Sequence, residues 1–341
     1  METATPSSQP ASAIDAPEFN HRVTLQCGRH VSFADVGDSR GFPVLFLLGM
    51  QGHRYHSFLF STLAHRHGIR LICIDRPGYG LSDDVASPDG AIPHPIAFVY
   101  VVEQLLAFLA IEQCGLMAQS AGCIYALALA AQPSLAARLV QPIMLVAPWV
   151  GIENPHMPSY VKAATYCPMA LISTAITLIG ASMSLAPYMM GLTRVVTPMG
   201  SATDNTDDDE APLVAQDDPS HMPLLVGDFL PRIQAEPHNG HHDALLCLGK
   251  TSLGVGFTLD QIHASVHVFH GDKDALVPLS AAKTFVAQLP QAKLDVIQDG
   301  THMILLEERV VDKVFQALAD AVHASGVSMD TEDCPDTVSN S

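Results

Sequence analysis

Apolar residues gather in short runs along the chain, and these runs alternate with more polar segments. Pro43 to Leu48, Ile69 to Ile74 and Val140 to Val146 are continuously or mostly apolar. A strand that is covered on both faces has this pattern, whereas a strand with one wet face alternates between apolar and polar positions. The runs therefore predict buried strands of a largely parallel sheet.

Other segments predict the elements that surround these strands. Val23 to Leu25 and Val31 to Ala34 flank Gly28 and predict an opening β-hairpin. In Pro95 to Ile111 and in Leu305 to Ala324 apolar residues recur at three- and four-residue spacing, which predicts amphipathic helices. Strands that alternate with such helices indicate an α/β domain in which helices cover the sheet.

The alternation stops between Gly151 and Gly254. Within this insertion, Ala170 to Leu192 is a stretch of 23 residues without a charged side chain. Its length and apolarity would admit a membrane span, but polar residues and Pro187 interrupt it, and Arg194 is the only close basic flank. We expect a pair of buried helices over 170–192 and no stable membrane insertion. Transient contact with a membrane surface is the alternative.

Polar, low-complexity stretches predict disorder at both ends of the chain and inside the insertion. The first stretch is rich in Ser, Ala, Pro and Thr, and the other two are acidic. The predicted organisation is a disordered segment 1–18, an α/β core in two parts 19–150 and 255–325, an insertion 151–254 with a disordered acidic loop 201–220, and a disordered tail 326–341.

The composition of the 341-residue chain suits a domain with a sizeable core, because 48% of its residues are hydrophobic and 15% are charged. A net charge of −18 argues against nucleic acid as a partner, since phosphate binding needs clustered Lys and Arg. The N-terminal segment lacks Lys, Arg and a continuous apolar run, so it is typical neither of a secretory signal nor of a transit peptide. Seven cysteines without paired metal spacing indicate a reducing compartment. We therefore expect a cytoplasmic protein.

The sequence predicts neither a cofactor nor a metal site. The run His238-Asn239-Gly240-His241-His242-Asp243 is dense in groups that bind metals, but a zinc site needs three or four convergent ligands and this run has no partner motif. The acidic residues from Asp204 to Glu210 lack the ligand spacing and the turn glycine of a calcium loop.

The candidate nucleophile is Ser120 in the stretch Met117-Ala118-Gln119-Ser120-Ala121-Gly122. A short strand is predicted before it, from Glu112 to Ala118, and an apolar helix after it, from Ala121 to Ala131. Small neighbours suit a sharp strand-to-helix turn with strained backbone, which would expose the Ser120 hydroxyl at the sheet edge. The same turn would direct the Ala121 N–H at an oxyanion near the helix N-terminus. Taken alone, the stretch also fits a serine that caps a helix.

Acidic residues and a histidine follow two later strands. Val266 to His270 predicts a strand that leads to Asp272 and Asp274, and Leu294 to Ile297 predicts a strand that leads to His302. The carboxyl ends of parallel strands meet at one edge of a sheet, so these side chains are expected near the serine. A serine hydroxyl is a poor nucleophile until a base takes its proton, and a carboxylate orients that base. The order Ser, Asp, His supplies all three parts.

These motifs together resemble the α/β-hydrolase superfamily. The resemblance covers about residues 20 to 325. It rests on the serine turn, on Ile74-Asp75-Arg76-Pro77-Gly78-Tyr79-Gly80-Leu81-Ser82-Asp83, on His270-Gly271-Asp272-Lys273-Asp274-Ala275-Leu276-Val277-Pro278 and on Gly300-Thr301-His302. It implies an α/β-hydrolase fold, with a mostly parallel eight-stranded sheet flanked by helices. The insertion 151–254 would then be a helical cap over Ser120.

The resemblance also implies roles for single residues. By motif, Ser120 is similar to the nucleophile, Asp274 to the acid and His302 to the base of the family. Glu153, which follows the strand after the nucleophile helix, and Asp272 are alternatives for the acid.

A second oxyanion donor comes from the loop after the strand that ends at Leu48. In the family this loop supplies a backbone N–H, which would place the Met50 N–H beside the Ala121 N–H. The chain departs from the family at two positions, since Leu48 stands where a histidine is common and Ala118 stands where the serine motif usually begins with glycine.

The implied function is serine-dependent hydrolysis through an acyl-enzyme. An apolar cap favours a small apolar substrate, with an ester as the first expectation and a thioester or lactone next. Similar microbial and fungal hydrolases include members that act in secondary-metabolite biosynthesis. The alternatives are acyl transfer on the same triad and a non-catalytic small-molecule-binding protein of the same fold. Epoxide and haloalkane hydrolysis are disfavoured, because those relatives use an aspartate where this chain has Ser120.

Overall fold

The structure is a computed structural model that describes residues 13–85, 94–168, 170–172, 174 and 229–326. Its centre is an eight-stranded sheet with the strand order β1-β2-β4-β3-β5-β6-β7-β8. Strand β2 is antiparallel to both of its neighbours, and all other pairs are parallel. The strands are β1 His21–Thr24, β2 His30–Gly37, β3 Phe42–Leu47, β4 Ile69–Ile74, β5 Gly115–Gln119, β6 Ile143–Val146, β7 Val266–Gly271 and β8 Ala292–Ile297.

Helices pack on both faces of this sheet. The α-helices of the described ranges are α1 Ser61–Arg66, α2 His94–Phe108, α3 Gly122–Ala131, α4 Pro133–Ala136, α5 Ser159–Ala164, α6 Leu230–Ala235, α7 Gly240–Cys247, α8 Leu279–Val286 and α9 Glu308–Ser325. Apolar side chains of α2, α3 and α8 form one core cluster with one face of the sheet. Those of α1 and α9 form a second cluster with the other face.

The central strands are buried on both faces, as their apolar runs predict. In β3, Leu45 and Leu47 belong to the cluster beneath α2 and α3, whereas Val44 and Phe46 belong to the cluster beneath α1 and α9. Successive side chains of a strand point to opposite faces, so a strand covered twice needs apolar residues at every position. The predicted mostly parallel eight-stranded sheet flanked by helices is confirmed.

Several element boundaries differ from the predicted ones. Strand β5 begins at Gly115 instead of Glu112, and only an isolated bridge at Cys114 precedes it. Strand β6 begins at Ile143 instead of Val140, since Pro142 has no N–H to donate to a ladder. Helix α9 begins at Glu308, after a short 3₁₀-helix at Ile304–Leu306.

The N-terminal segment differs from the disorder predicted for residues 1–18. Two short 3₁₀-helices, Ala13–Asp15 and Pro17–Phe19, lie against the core. Ile14 and Phe19 are each 3% exposed, and the Asn20 side chain donates a hydrogen bond of 2.6 Å to the Ile14 carbonyl. Burial of these two large apolar side chains offsets the entropy of ordering a segment of otherwise small or acidic residues. Residues 1–12 lie outside the described residues.

The insertion contributes α5, α6 and α7 to the described part of the chain. The predicted buried helix pair at 170–192 falls outside it except for residues 170–172 and 174, and the predicted loop 201–220 and the tail from 327 fall outside it altogether. Among the helices that are described, none combines the length and the apolarity needed to cross a membrane. The six cysteines in the described ranges are free thiols.

Candidate active site

Ser120 lies in a sharp turn between β5 and α3. Its φ is 50°, in the left-handed region that a residue with a Cβ adopts only at a cost. Hydrogen bonds hold this conformation: the Ser120 N–H donates to the Val146 carbonyl at 3.1 Å, and the Ser120 carbonyl accepts from the N–H groups of Cys123 at 3.0 Å and Trp149 at 3.1 Å. The turn directs the side chain into the cavity above the carboxyl ends of the strands.

Small residues around the turn allow the loop after β3 to approach it. A Cβ at Gly122 would meet the carbonyl oxygens of Leu47 and Leu48 at less than 3 Å, and a Cβ at Gly49 would lie 2.8 Å from the Ser120 Cβ. Ala118 is fully buried opposite Leu47 of β3, so the sheet accommodates its methyl group where the family usually has glycine. The predicted strained turn between small residues is therefore present.

The three predicted triad side chains come together across the carboxyl edge of the sheet. Ser120 Oγ lies 2.9 Å from His302 Nε2, and His302 Nδ1 lies 2.7 Å from Asp274 Oδ2. Asp274 sits in the loop after β7 and His302 in the loop after β8, two adjacent parallel strands. With the Nδ1 proton directed at the carboxylate, His302 Nε2 is free to accept a hydrogen bond from the Ser120 hydroxyl.

Backbone amides hold the Asp274 carboxylate from its other side. The N–H groups of Leu276 and Val277 each donate to Asp274 Oδ1 at 2.9 Å. Burial raises the pKa of this carboxyl, but the hydrogen bonds from His302 and Val277 lower it more, and the net pKa lies below the usual value. Asp274 is therefore ionised at neutral pH.

The two alternatives for the acid lie elsewhere. Glu153 and Asp272 are both exposed to solvent, and neither has a hydrogen bond to His302 within the described ranges. Asp272 precedes Asp274 by two residues, yet the loop after β7 turns only the second aspartate inward.

A buried histidine that the sequence pattern did not single out also contacts the acid. His270 is the last side chain of β7 before Gly271, and its Nε2 donates to the Val277 carbonyl at 2.8 Å. The same nitrogen lies 3.4 Å from Asp274 Oδ2. Burial lowers the pKa of His270, so it stays neutral and packs beside the carboxylate without removing its charge. Only its position at the end of a predicted strand could have indicated this role.

The residues that carry the two predicted oxyanion donors line the same cavity as Ser120. Residues 49 to 52 form a turn in which the Gly52 N–H donates to the Gly49 carbonyl at 2.9 Å. The Gly49 N–H donates to the Gln119 side-chain oxygen at 3.1 Å. Met50 and Ala121 line the cavity, and their N–H groups donate to none of the described residues. Two unpaired amides near a nucleophile are the arrangement that stabilises an oxyanion.

A cavity of about 740 Å³ opens above Ser120 and His302. Its walls come from the loop after β3, from the insertion and from the segment after His302, and they are largely apolar. The apolar lining includes Leu48, Leu59, Phe60, Trp149, Val161, Ala164, Leu171, Ile172, Ala244, Leu248, Leu276, Met303, Leu305 and Leu306. A pocket of this size and polarity suits a small apolar ligand.

Contacts between the insertion and the core shape this cavity. The Trp149 indole N–H donates to the Cys247 carbonyl of α7 at 3.1 Å, and the Tyr160 hydroxyl of α5 donates to the Ala275 carbonyl at 2.7 Å. Lys250 donates to the carbonyls of Thr165 and Cys167 at 2.7 and 2.9 Å. Helices α5 and α7 are thereby tied together and to the core.

One cluster of metal-capable groups occurs among the described residues. Atoms of His53, Asp75 and Glu236 lie within 4.8 Å of one another. However, Arg54 Nη1 lies 2.6 Å from both carboxylates, and His53 and Arg54 lower the pKa of Glu236 to about 2 against the opposing effect of burial. The guanidinium already neutralises these acids, so the cluster is a buried ion-pair network that joins the insertion to the core.

Comparisons with known proteins agree with this architecture. Residues 44–317 match the model of a family described as the alpha/beta hydrolase family. No curated protein matches the sequence. Similar solved structures include a carboxylesterase from the thaumarchaeon Nitrososphaera gargenis, with 16% identity over 89% of this chain and 100% of that chain and a TM-score of 0.58.

Two further structures with the same fold are esterases. One is a thermophilic esterase from Thermogutta terrifontis, with 18% identity over 89% of this chain and 98% of that chain and a TM-score of 0.54. The other is an esterase from Rhodococcus sp. ECU1013, with 18% identity over 88% of this chain and 99% of that chain and a TM-score of 0.56. At this identity the likeness establishes the fold alone.

Proposed function

The chain belongs to the alpha/beta hydrolase family, and from that premise we propose that it is a serine esterase that cleaves carboxylic esters of small apolar molecules. The observation that carries this proposal is the hydrogen-bonded series from Ser120 through His302 to Asp274, which opens into the apolar cavity. The esterases among the similar folds support ester chemistry as the first choice.

The proposed reaction has two steps. His302 Nε2 takes the proton of Ser120 as the oxygen attacks the ester carbonyl, and Asp274 stabilises the imidazolium that forms. The amides of Met50 and Ala121 bind the oxyanion, and removal of one such donor typically slows turnover about 10²- to 10³-fold. Proton transfer from His302 to the alkoxide releases the alcohol. Water activated by His302 then hydrolyses the acyl-enzyme.

The substrate class follows from the cavity. Few polar groups other than those of the proposed machinery face it, so apolar contact supplies most of the binding free energy, at about 0.8 kcal/mol for each buried methylene. A linear or aryl ester with an extended apolar part fits this lining. Thioesters and lactones present the same carbonyl to Ser120 and are secondary substrates of the proposal. A role in secondary-metabolite biosynthesis stays a prediction.

A fluorophosphonate probe tests the proposed nucleophile. The probe phosphonylates activated serines, and mass spectrometry of the labelled peptide identifies the residue. Label at Ser120 that disappears in Ser120→Ala and in His302→Ala supports the proposal. Absence of label from wild-type protein with a native melting transition contradicts it and favours a non-catalytic ligand-binding protein.

A panel of 4-nitrophenyl esters, thioesters and lactones then separates the reaction types. Rapid multiple turnover of the esters with release of free acid supports the esterase. Products that carry the acyl group on an added alcohol in preference to water would identify an acyltransferase instead.

A further inference from the structure

Two buried charged residues join the insertion to the loop after β4. Arg76 follows β4 and donates through Nη1 and Nη2 to the Oδ1 and Oδ2 atoms of Asp243 on α7, at 2.7 and 2.6 Å. The side chains of both residues are 1% exposed. Burial of two charges carries a large desolvation penalty. Apolar residues of similar volume in place of a buried ion pair therefore often stabilise a fold at least as well as the pair does. Stability alone therefore does not explain this pair.

The same guanidinium makes a third hydrogen bond, to the loop of the proposed oxyanion hole. Arg76 Nη2 donates to the Gly49 carbonyl oxygen at 2.6 Å. That oxygen belongs to the peptide unit whose N–H is the Met50 N–H. A trans peptide is planar, and its C=O and N–H point in opposite directions. A carbonyl held on the Arg76 side therefore directs the Met50 N–H away from Arg76.

We propose that Arg76, held by Asp243 of the insertion, is a positioning residue that fixes and polarises the Gly49–Met50 peptide so that the Met50 N–H serves the oxyanion hole. The inference rests on the proposed function, because an oxyanion arises only when Ser120 attacks a carbonyl. Arg76 acts through the peptide and touches no substrate atom in this role.

The surroundings of the pair support this assignment. The Tyr79 hydroxyl donates to Asp243 Oδ2 at 2.6 Å and accepts from the Gln51 N–H at 3.3 Å, so the loop is held on both sides of Met50. Gln51 itself has a φ of 64°, a strained conformation that needs such support. The guanidinium also lies over the rings of Tyr79 and Tyr125, 4.7 and 4.9 Å from their centroids.

Both members of the pair carry their charge at neutral pH. Burial raises the pKa of Asp243, but Arg76 lowers it more, and the net value lies below the usual range. Burial lowers the pKa of Arg76, while Asp243 and Tyr79 raise it well above the usual range. A charged donor makes a stronger hydrogen bond to a carbonyl than a neutral one does, which increases the polarisation of the peptide.

The pair also couples the insertion to the oxyanion loop. Helix α7 supplies Ala244 and Cys247 to the cavity wall and Asp243 to the ion pair. Displacement of α7 would remove the partner of Arg76 and loosen the Gly49 carbonyl. The Gly52 N–H still holds that carbonyl at 2.9 Å, so we expect a partial effect on the oxyanion hole.

The test removes both charges together. Arg76→Met or Asp243→Asn alone leaves a buried unpaired charge and risks loss of the fold. In the double variant Arg76→Met/Asp243→Asn no such charge remains, but the Gly49 carbonyl has lost its charged donor. We expect kcat for 4-nitrophenyl butyrate and the rate of fluorophosphonate labelling to fall about tenfold, below the 10²- to 10³-fold cost of losing a donor outright. KM should change by less than about twofold, because the contacts between the cavity and the bound substrate are kept.

A purely structural role predicts a different result. If Arg76 served only to neutralise Asp243, the double variant would recover wild-type kcat once the protein folds, and that recovery would overturn the proposal. Arg76→Lys, which keeps a charged donor beside Asp243, should retain more activity than Arg76→Met/Asp243→Asn. The matched control is Arg70→Met/Asp35→Asn, which removes a bridge of 2.6 Å between β4 and β2 away from the cavity and should leave kcat unchanged.

A second readout does not depend on turnover. In protein labelled with ¹⁵N-methionine, the Met50 amide resonance is assigned as the one that Met50→Leu removes. We expect this resonance to shift in Arg76→Met/Asp243→Asn and to stay in place in Arg70→Met/Asp35→Asn. An unmoved Met50 resonance overturns the positioning role, whether or not the protein turns over esters. Unlabelled Ser120 in wild-type protein would instead overturn the proposed function, and the Met50 resonance would then report only whether Arg76 fixes the Gly49–Met50 peptide.

Discussion

The backbone N–H of Ser120 donates to the carbonyl of Val146 at 3.1 Å, and this bond extends the β5–β6 ladder into a residue whose φ is 50°. The ladder thus holds the proposed nucleophile in a conformation that glycine would adopt without strain. Stability and function place opposite demands on this position.

The first prediction follows from that conflict. Ser120→Ala and Ser120→Gly should both lose ester turnover by about 10⁴-fold or more, because neither has an oxygen nucleophile. The glycine variant should have the higher free energy of unfolding, by about 1 kcal/mol, since alanine keeps the strained left-handed conformation and glycine does not. Urea unfolding of the two variants measures the difference. Equal stability would mean that the turn relaxes when the hydroxyl is removed.

The second prediction separates the three candidate acids. Asp274→Asn should lower kcat by about 10³- to 10⁴-fold, because an amide cannot stabilise the His302 imidazolium and favours the wrong tautomer. Asp272→Asn and Glu153→Gln are matched controls, since each removes one carboxylate charge from an exposed side chain. Both should keep kcat within about twofold of wild type. A loss confined to Glu153→Gln would move the acid to the strand after the nucleophile helix.

The sheet and its order of elements could be predicted because the signal is local. Strand β3 carries apolar residues at every position between Val44 and Leu47, which only a doubly covered strand requires. The exact ends of strands depend on partners that sequence patterns do not contain. Strand β6 begins only after Pro142, and β5 begins at Gly115, the first of its residues that pairs with β3.

The proposed triad could also be predicted, since each member lies in the turn or loop that follows a strand and belongs to a recognisable motif. The Arg76–Asp243 pair could not, because its members are 167 residues apart and Asp243 lies in a histidine-rich run that suggests metals first. Burial decides its role, and burial is a property of the folded chain. The same reason explains the N-terminal segment, where Ile14 packs into the core although it is a lone large apolar side chain among small and acidic residues.

The third prediction concerns acid stability. Burial and the nearby His53 lower the pKa of His56 to about 4, and burial and the nearby His94 lower the pKa of His242 to about 4. Unfolded histidines take up protons near pH 6.5, whereas these two stay neutral in the fold until about pH 4. The unfolded state therefore binds more protons across this range, and the free energy of unfolding falls as the pH drops from about 6.5 to about 4.

Substitution of one ring tests this account. The rings of His242 and His94 contact each other with centroids 3.8 Å apart and planes tilted by 34°, so His242→Phe keeps an aromatic ring there and removes the titration. Between about pH 6.5 and 4, the free energy of unfolding of His242→Phe should fall by about 1–2 kcal/mol less than that of wild type. The difference is no larger because solvent reaches part of the His242 ring. His241→Phe replaces the exposed neighbour and is the control variant, which should change the slope less than His242→Phe does. Melting temperatures between pH 4 and 7 give the slopes, and identical slopes for all three proteins would refute the assignment to His242.

The fourth prediction concerns chain-length selection by the cavity. Ala164 lines the cavity from α5, whereas Ala163 on the same helix is exposed. In wild-type protein kcat/KM for 4-nitrophenyl esters should rise about three- to fourfold for each added methylene until the cavity is filled, because each buried methylene contributes about 0.8 kcal/mol. Ala164→Trp fills part of that space. It should lower kcat/KM about tenfold for the octanoate and leave the acetate within about twofold, while Ala163→Trp leaves both unchanged. Equal losses on acetate and octanoate would mean that the tryptophan disturbs Ser120 or His302, and an unchanged octanoate would place the acyl chain on the other side of the cavity.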